Sequence, residues 1–237
     1  MNAGLKASGS NPDVSLLHDV NHLSRSTPGW FDRTVEAAGN YGLLLALIPL
    51  LAACWWQVRR SGGDPDRAAA STAAVLWAPI AGALALLVNL PIKDFVGRPR
   101  PFADHADVDV LAEGTHGFSF VSDHATLAMA IGAALFVAHR GFGLAALGIA
   151  LLQGACRVYL GVNYPTDVVG GFALGTAVAL LLAPGAAALL TPLMKAVGRA
   201  PRVGVLVSAP RPASVPAEQL ELPEPRPEGP SERDLAA

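Results

Sequence analysis

The sequence predicts an all-α integral membrane bundle of about five transmembrane helices, with an N-terminal interfacial helix and a disordered C-terminal tail. Three observations predict it. Only 15% of the 237 residues are Asp, Glu, Lys or Arg, while 52% are apolar; a soluble domain carries about 25% charged residues. The mean hydropathy is +0.40. The charges are also segregated: windows 41–56, 68–92, 118–138, 141–156 and 168–194 contain between them a single Asp, Glu, Lys or Arg, which is Asp123. A soluble globule with a mixed surface is excluded. A net charge of −2 without a basic stripe excludes a nucleic-acid binder.

Residues 1–36 form the N-terminal segment, where Val14, Leu17, Val20 and Leu23 recur at helical spacing, as in a helix lying at the membrane interface. No apolar run follows Met1, so no cleavable signal is expected and the first span acts as its own insertion signal. Trp30 and Phe31 stand where an aromatic belt begins. The helical domain is placed at 37–195. Its first span, 38–56, ends in Trp55 and Trp56 as interface anchors, and a linker with Arg59, Arg60 and Arg67 follows. The second span covers 68–92, with a kink expected at Pro79. After a polar loop at 93–117, further spans are read at 119–138, 141–160 and 166–190, separated by His139-Arg140 and a turn at 161–165. The tail is placed at 196–237. Its last 37 residues hold eight prolines, six acids and four arginines, a composition too polar to form a core. Cys54 and Cys156 lie in apolar windows and read as small buried hydrophobes rather than a disulfide framework. No internal repeat is visible, which argues against a transporter built from inverted halves.

Orientation follows from Lys and Arg outside the polar loops. With five spans and the N-terminus outside, Arg59, Arg60, Arg67, Arg140, Lys195, Arg199 and Arg202 all fall on the cytoplasmic side, and so does the tail. Loops 93–117 and 161–165 then share the extracytoplasmic face of a multi-pass plasma-membrane protein. Three polar clusters gather there. They are Lys93 to Pro101, with Arg98 and Arg100; Phe118 to His124, with Ser122 and Asp123; and Cys156 to Asp167, with Arg157 and Asn163. Charges at membrane depth are costly and mark function. Lys93, Arg100 and Arg157 are three cations suited to a group with several anionic oxygens, and Arg adds a bidentate fork. Ser122 opens a helix whose free N–H groups favour an anion. The inference is a phosphate site.

The clusters resemble the signature of the type-2 phosphatidic acid phosphatase family, K-x6-R-P, P-S-G-H and S-R-x5-H-x3-D. Lys93 with Arg100-Pro101 fits the first element, Ser122 and His124 fit the second, and Arg157 and Asp167 fit the third. The resemblance implies a membrane lipid phosphatase without cofactor or metal, acting on a lipid phosphate or diphosphate. Lys93, Arg100, Arg157 and Ser122 would bind phosphate, with Asp123 among them; His124 would protonate the leaving group and Asp167 would orient the nucleophile. Imidazole titrates near neutral pH, which suits a general acid. Asp123 stands where the pattern has glycine and resembles the branch acting on undecaprenyl diphosphate. Asn163 stands where the pattern has the nucleophilic histidine, and a carboxamide offers only hydrogen bonds. His105, His116 and His139 are the other imidazoles near in sequence. The resemblance therefore leaves two readings, a hydrolase and a catalytically silent binder of a phosphorylated lipid. A small transporter or scaffold is the third, from another class.

Plainer readings stand beside these. Asp123 caps a helix start, Lys93 and Arg98 snorkel to the interface, Arg157 flanks a loop, His124 is an ordinary polar residue, and Tyr159 and Tyr164 are interface aromatics. The run Asp104, His105, Asp107, Asp109, Glu113 and His116 offers O and N metal ligands but reads as a solvated loop.

Overall fold

The computed structural model describes residues 11–60, 64–112, 117–200 and 204–207. Its α-helices are α1 (Pro12–Asn21), α2 (Gly29–Ala37), α3 (Leu43–Arg60), α4 (Pro65–Val96), α5 (Pro101–Asp104), α6 (Asp123–Ala138), α7 (Arg140–Tyr159), α8 (Pro165–Leu181) and α9 (Ala183–Arg199). A π-turn, Ala38–Gly42, joins α2 to α3 without a break. The starts of α1 and α4 have a shared local cause. The Asn11 and Asp64 side chains accept from the N–H groups of Asp13 and Asp66, at 3.1 and 3.2 Å, and each is followed by proline at the first helical position. Gly97, at φ 58°, ends α4 in the left-handed conformation and turns the chain back across the bundle.

Helix α6 occupies the centre, packed on α4, α7 and α8, while α9 lies on α4 and α3 on α7. Its buried residues are mainly small, with Ala125, Ala128, Ala130, Gly132, Ala133 and Ala134 among them. In a membrane, small side chains let backbones approach and gain dispersion contact. The approach is closest at two glycines. A Cβ on Gly175 would stand 2.4 Å from the Thr126 carbonyl oxygen, and one on Gly143 would stand 2.0 Å from the Phe136 Cα.

Among the described residues three helices are long and apolar enough to cross a membrane, Gly29–Arg60, Pro65–Asp104 and Arg140–Tyr159; α8 and α9 qualify together, across a 50° bend. The apolar α6, of 16 residues, is shorter than these. The expected span at 166–190 is thus corrected to two helices, because Pro184 in the first turn of α9 has no N–H to carry α8 onward. Helix α4 overruns its expected ends on both sides and holds Pro79 and Pro91 inside one continuous helix.

The N-terminal helix meets protein on its apolar face. Leu17 is fully buried beside Val108, Ala125, Val158, Tyr164 and Val168, with Val14 and Val20 packed on the same cluster, whereas Leu23 is exposed. At the other terminus α9 continues through 196–199, and a 3-10 turn, Gly204–Leu206, docks on α3. There Trp55 Nε1 donates to the Leu206 carbonyl at 3.0 Å and Arg59 to that of Val205 at 2.9 Å. The rest of the expected disordered tail, 201–203 and 208–237, lies outside the described residues, as do Glu113 and His116.

The up-and-down chain order separates the two ends chemically. One end holds Arg59, Arg60, Arg140 and the Lys195–Asp66 ion pair at 3.0 Å. The opposite end brings together the C-termini of α4 and α7, the N-termini of α6 and α8, and α1.

Candidate functional site

The site is assembled from helix ends. Ser122 caps α6 and is 1% exposed; its N–H donates to the Asp167 backbone carbonyl at 3.1 Å, tying the starts of α6 and α8 together. On α4, Asn89 and Lys93 stand one turn apart and both hold Asp123. The Asn89 amide donates to Asp123 Oδ1 at 2.7 Å, and the Lys93 ammonium forms an ion pair with Oδ2. Asp123 therefore occupies the ammonium that the sequence reading assigns to phosphate.

The centre is Arg157, in the last turn of α7 and 3% exposed. Its Nε donates to Asn163 Oδ1 at 3.3 Å and its Nη1 to Asn40 Oδ1 at 3.2 Å. Among the described residues no carboxylate lies within ion-pair distance of it. Asn163 also accepts from Ser122 Oγ at 3.4 Å and donates to the Ser119 carbonyl at 2.9 Å, so both its oxygen and its nitrogen are engaged within the protein. Arg100, 8% exposed, reaches the same turn by donating to the Val162 carbonyl at 2.9 Å, and donates to the Gly117 carbonyl at 3.1 Å. His124 bonds the Asn40 carbonyl through Nε2 at 3.0 Å. A carbonyl only accepts, so Nε2 carries the hydrogen here and Nδ1 is the nitrogen left to take up and release a proton.

Asp167 is fully buried, but neither oxygen goes to residue 163. One accepts the Tyr164 N–H at 2.8 Å and the other Arg98 Nη1 at 2.8 Å. Arg98 extends the network to α1: it donates to Asp13 Oδ2 at 2.6 Å and to Thr166 Oγ1 at 2.8 Å, and it stacks on Tyr164 at 3.7 Å. Asp13 in turn accepts from the Thr166 N–H and hydroxyl. Burial pushes the Asp13 carboxyl up, but the bonds from Thr166 and Arg98 outweigh it and hold the group below its usual value.

The structure therefore brings Ser122, His124, Arg157 and Asn163 into one cluster, with Arg100 at its edge and Lys93 paired to Asp123 alongside. Asp167 is adjacent but committed to Arg98. Sequence reasoning missed Asn40, Asn89, Ser119 and Asp13, and gave Arg98 no site role. A signal was present for Asn89, which is a carboxamide inside an apolar window, where a polar group needs a partner. Asn40 sits in a π-turn, a local feature frequent at functional sites but not marked in the sequence.

A profile of the PAP2 superfamily matches residues 74–190, the stretch that supplies every residue of the cluster except Asn40. The undecaprenyl-diphosphatase BcrC of Bacillus subtilis (strain 168) is 36% identical over 107 residues, which are 45% of this chain and 55% of that protein. The match thus spans about half of that relative's length. YbjG of Escherichia coli (strain K12) is 28% identical over 166 residues, 70% of this chain and 78% of that one. The crystal structure of a transmembrane PAP2 type phosphatidylglycerolphosphate phosphatase from Bacillus subtilis superposes with a TM-score of 0.52 at 24% identity, over 75% of this chain and 86% of the other, and shows the shared fold. Residues 74–190 thus resemble the PAP2 superfamily, within a helical bundle whose described helices include several apolar enough to cross a membrane.

Proposed function

We propose that this protein is a membrane lipid phosphatase that hydrolyses a phosphomonoester or diphosphate of a lipid at the extracytoplasmic face. The observation that carries the reading is Arg157, a buried guanidinium held by two carboxamide oxygens and, among the described residues, by no carboxylate. An uncompensated buried cation is costly, and a bound phosphate supplies the missing charge through short charge-assisted bonds. Arg100 and the Ser122 hydroxyl stand beside it, and Lys93 joins when Asp123 yields. Undecaprenyl diphosphate is the substrate favoured within this class, supported by the likeness to BcrC and by Asp123 next to His124.

Asn163 closes the covalent route, because a carboxamide nitrogen is no nucleophile toward phosphorus. Water then attacks in line and its proton passes to a phosphate oxygen; the bond from phosphorus to the lipid-side oxygen breaks as protonated His124 gives the Nδ1 proton to that oxygen, and the imidazole regains a proton from solvent. A second reading, binding of a lipid phosphate without turnover, is favoured by the same residue: Asn163 is held by Ser122, Arg157 and Ser119, and Asp167 is engaged elsewhere.

Phosphate release from a panel of lipid phosphates by the purified protein tests both. Under the proposal the natural protein turns over, and Asn163→Ala changes the rate little. Asn163→His should raise release by orders of magnitude, and Asp167→Asn or His124→Ala should remove that gain, since the residues would act as a unit. Binding without release in both the natural and histidine forms would establish the silent reading. Neither binding nor release would overturn both.

A further inference from the structure

We infer that His18, His105 and Asp107 form a site for a divalent transition ion, with Zn2+ chemistry, that clamps α1 to the loop after α5. One ligand atom from each of the three lies within 4.8 Å of the others. They come from two segments distant in sequence, so sequence spacing does not reveal the set. His18 Nδ1 and Asp107 Oδ2 are 3.3 Å apart. Zinc bound at 2.0–2.1 Å by N and O ligands has tetrahedral edges of about 3.3–3.4 Å, so one edge is already formed. The His105 ring meets His18 edge-on at 5.7 Å between centroids, and with all ligand atoms within 4.8 Å of one another the remaining edges close by side-chain shifts of at most about 1.5 Å.

The backbone around the site is fixed by bonds that do not use these ligands. Asn21, fully buried, donates to the Asp109 carbonyl at 2.8 Å and accepts the Asp109 N–H at 2.8 Å. Arg25 takes the Asp109 carboxylate at 2.6 Å and the Asp107 carbonyl at 3.0 Å. That arrangement leaves the Asp107 carboxylate facing His18. A ligand set held by a separate scaffold is preorganised for its ion. His18 Nε2 is buried without a hydrogen-bond partner among the described residues. A metal on the other ring nitrogen would make Nε2–H more acidic and the better donor, and a water or lipid oxygen would complete it. Two imidazoles and a carboxylate suit Zn2+ and its first-row neighbours better than Ca2+ or Mg2+, which favour all-oxygen sets. With three protein ligands and Asp107 well exposed, a fourth position stays open to water.

The position gives the ion a consequence. His105 also packs edge-on against Tyr164, the ring on which Arg98 stacks. The clamp would therefore hold α1, with Asp13, against the residues that fix Asp167.

The test uses untagged, metal-stripped full-length protein without substrate, so its outcome is independent of the phosphatase reading. Titration with Co2+ should give one saturable equivalent with the visible d–d bands of tetrahedral cobalt, displaced by Zn2+. Zn2+ should also raise the melting temperature and slow hydrogen exchange in α1. His18→Ala, His105→Ala and Asp107→Asn should each weaken binding by roughly 10-fold or more, whereas His139→Ala, at the other end of the bundle, should not. Asp107→Asn keeps the loop's shape, so it reports ligation even if a histidine variant is unstable. No saturable binding, or unchanged affinity in Asp107→Asn and His18→Ala, overturns the site.

Discussion

Replacing Arg98 with alanine should destabilise the protein more than any other single change at this end of the bundle. The variant loses one cation that serves two carboxylates. Asp167 is fully buried and Asp13 is 9% exposed, while Arg98 itself is 26% exposed. Removing one partner of a buried ion pair costs about 3–5 kcal/mol, because the remaining charge stays buried. Two facts place the expected loss near the low end. Arg98 is partly hydrated already, and each carboxylate keeps a donor, from the Tyr164 N–H for Asp167 and from Thr166 for Asp13. Loss of the stack on Tyr164 adds about 0.5–1 kcal/mol. The total is about 3–4 kcal/mol, which for a chain of this size lowers the melting temperature on the order of 10 °C.

The measurement is thermal unfolding of the detergent-solubilised protein, followed through its tryptophans. Two further variants isolate the cause. Thr166→Ala removes only hydroxyl bonds and should cost about 1 kcal/mol. Arg98→Ala combined with Asp167→Asn neutralises the stranded carboxylate, and should recover about half of the single variant's loss. If Arg98→Ala stays within 1 kcal/mol of the natural protein, or if the double variant is no more stable than the single one, the stranded-charge argument is wrong.

Three other outcomes are expected. Arg157→Ala should weaken binding of inorganic phosphate or vanadate by about 10- to 100-fold, the worth of one charge-assisted contact in a partly dry site, and equal affinity would make Arg157 structural. The Asp13 carboxyl is held below its ordinary value of 3.8, so its stabilisation is complete above that value and is lost as pH falls through its lower folded value. Hydrogen exchange in α1 should accordingly quicken in acid below that point, and Asp13→Asn should flatten the dependence; an unchanged profile would refute it. For sidedness, cysteines placed at Ala106 and at Ala213 should label from opposite sides of intact cells, the buried Cys54 and Cys156 staying silent. Equal labelling of both would sink the orientation.

What was legible in the sequence follows from which physical property writes itself locally. Charge depletion is a property of composition, so the apolar windows mark the helical bundle without knowledge of any contact. Hydropathy reports depth in the membrane and not helix length, which is why α4 continues through Asp66 and Lys93 beyond its apolar window. It is also blind to the break at 181–183, where both sides are equally apolar and only Pro184 differs. Averaging over the tail hid Val205, Leu206 and Val207, an apolar patch long enough to dock on Trp55 and Arg59. The motif residues were found because chain order alone returns the ends of α4, α6, α7 and α8 to one side. Their supports were not, because each lies far along the chain: Asn40 is 84 residues from His124, and Asp13 is 85 from Arg98.

Two of the four departures from the family pattern, those at 123 and 163, act on charge in the same direction. At 123, a carboxylate replaces glycine and takes up the Lys93 ammonium. At 163, a neutral amide replaces a base that would have engaged Asp167, and Asp167 pairs with Arg98 instead. Lys93 and Arg98 are therefore paired with carboxylates within the protein, whereas Arg157 meets none within ion-pair distance among the described residues. Under the proposed function a monophosphate would be met by Arg157 with Arg100 and the α6 N-terminus. Reaching Lys93 requires displacing Asp123, whose side chain is 44% exposed and can turn to solvent at modest cost, while Lys93 at 15% cannot follow it. An anion must bring additional charge to make that exchange favourable. Under the proposed function a diphosphate would do so and a phosphomonoester would do less, so the Lys93–Asp123 pair would act as a threshold that favours the more highly charged head group.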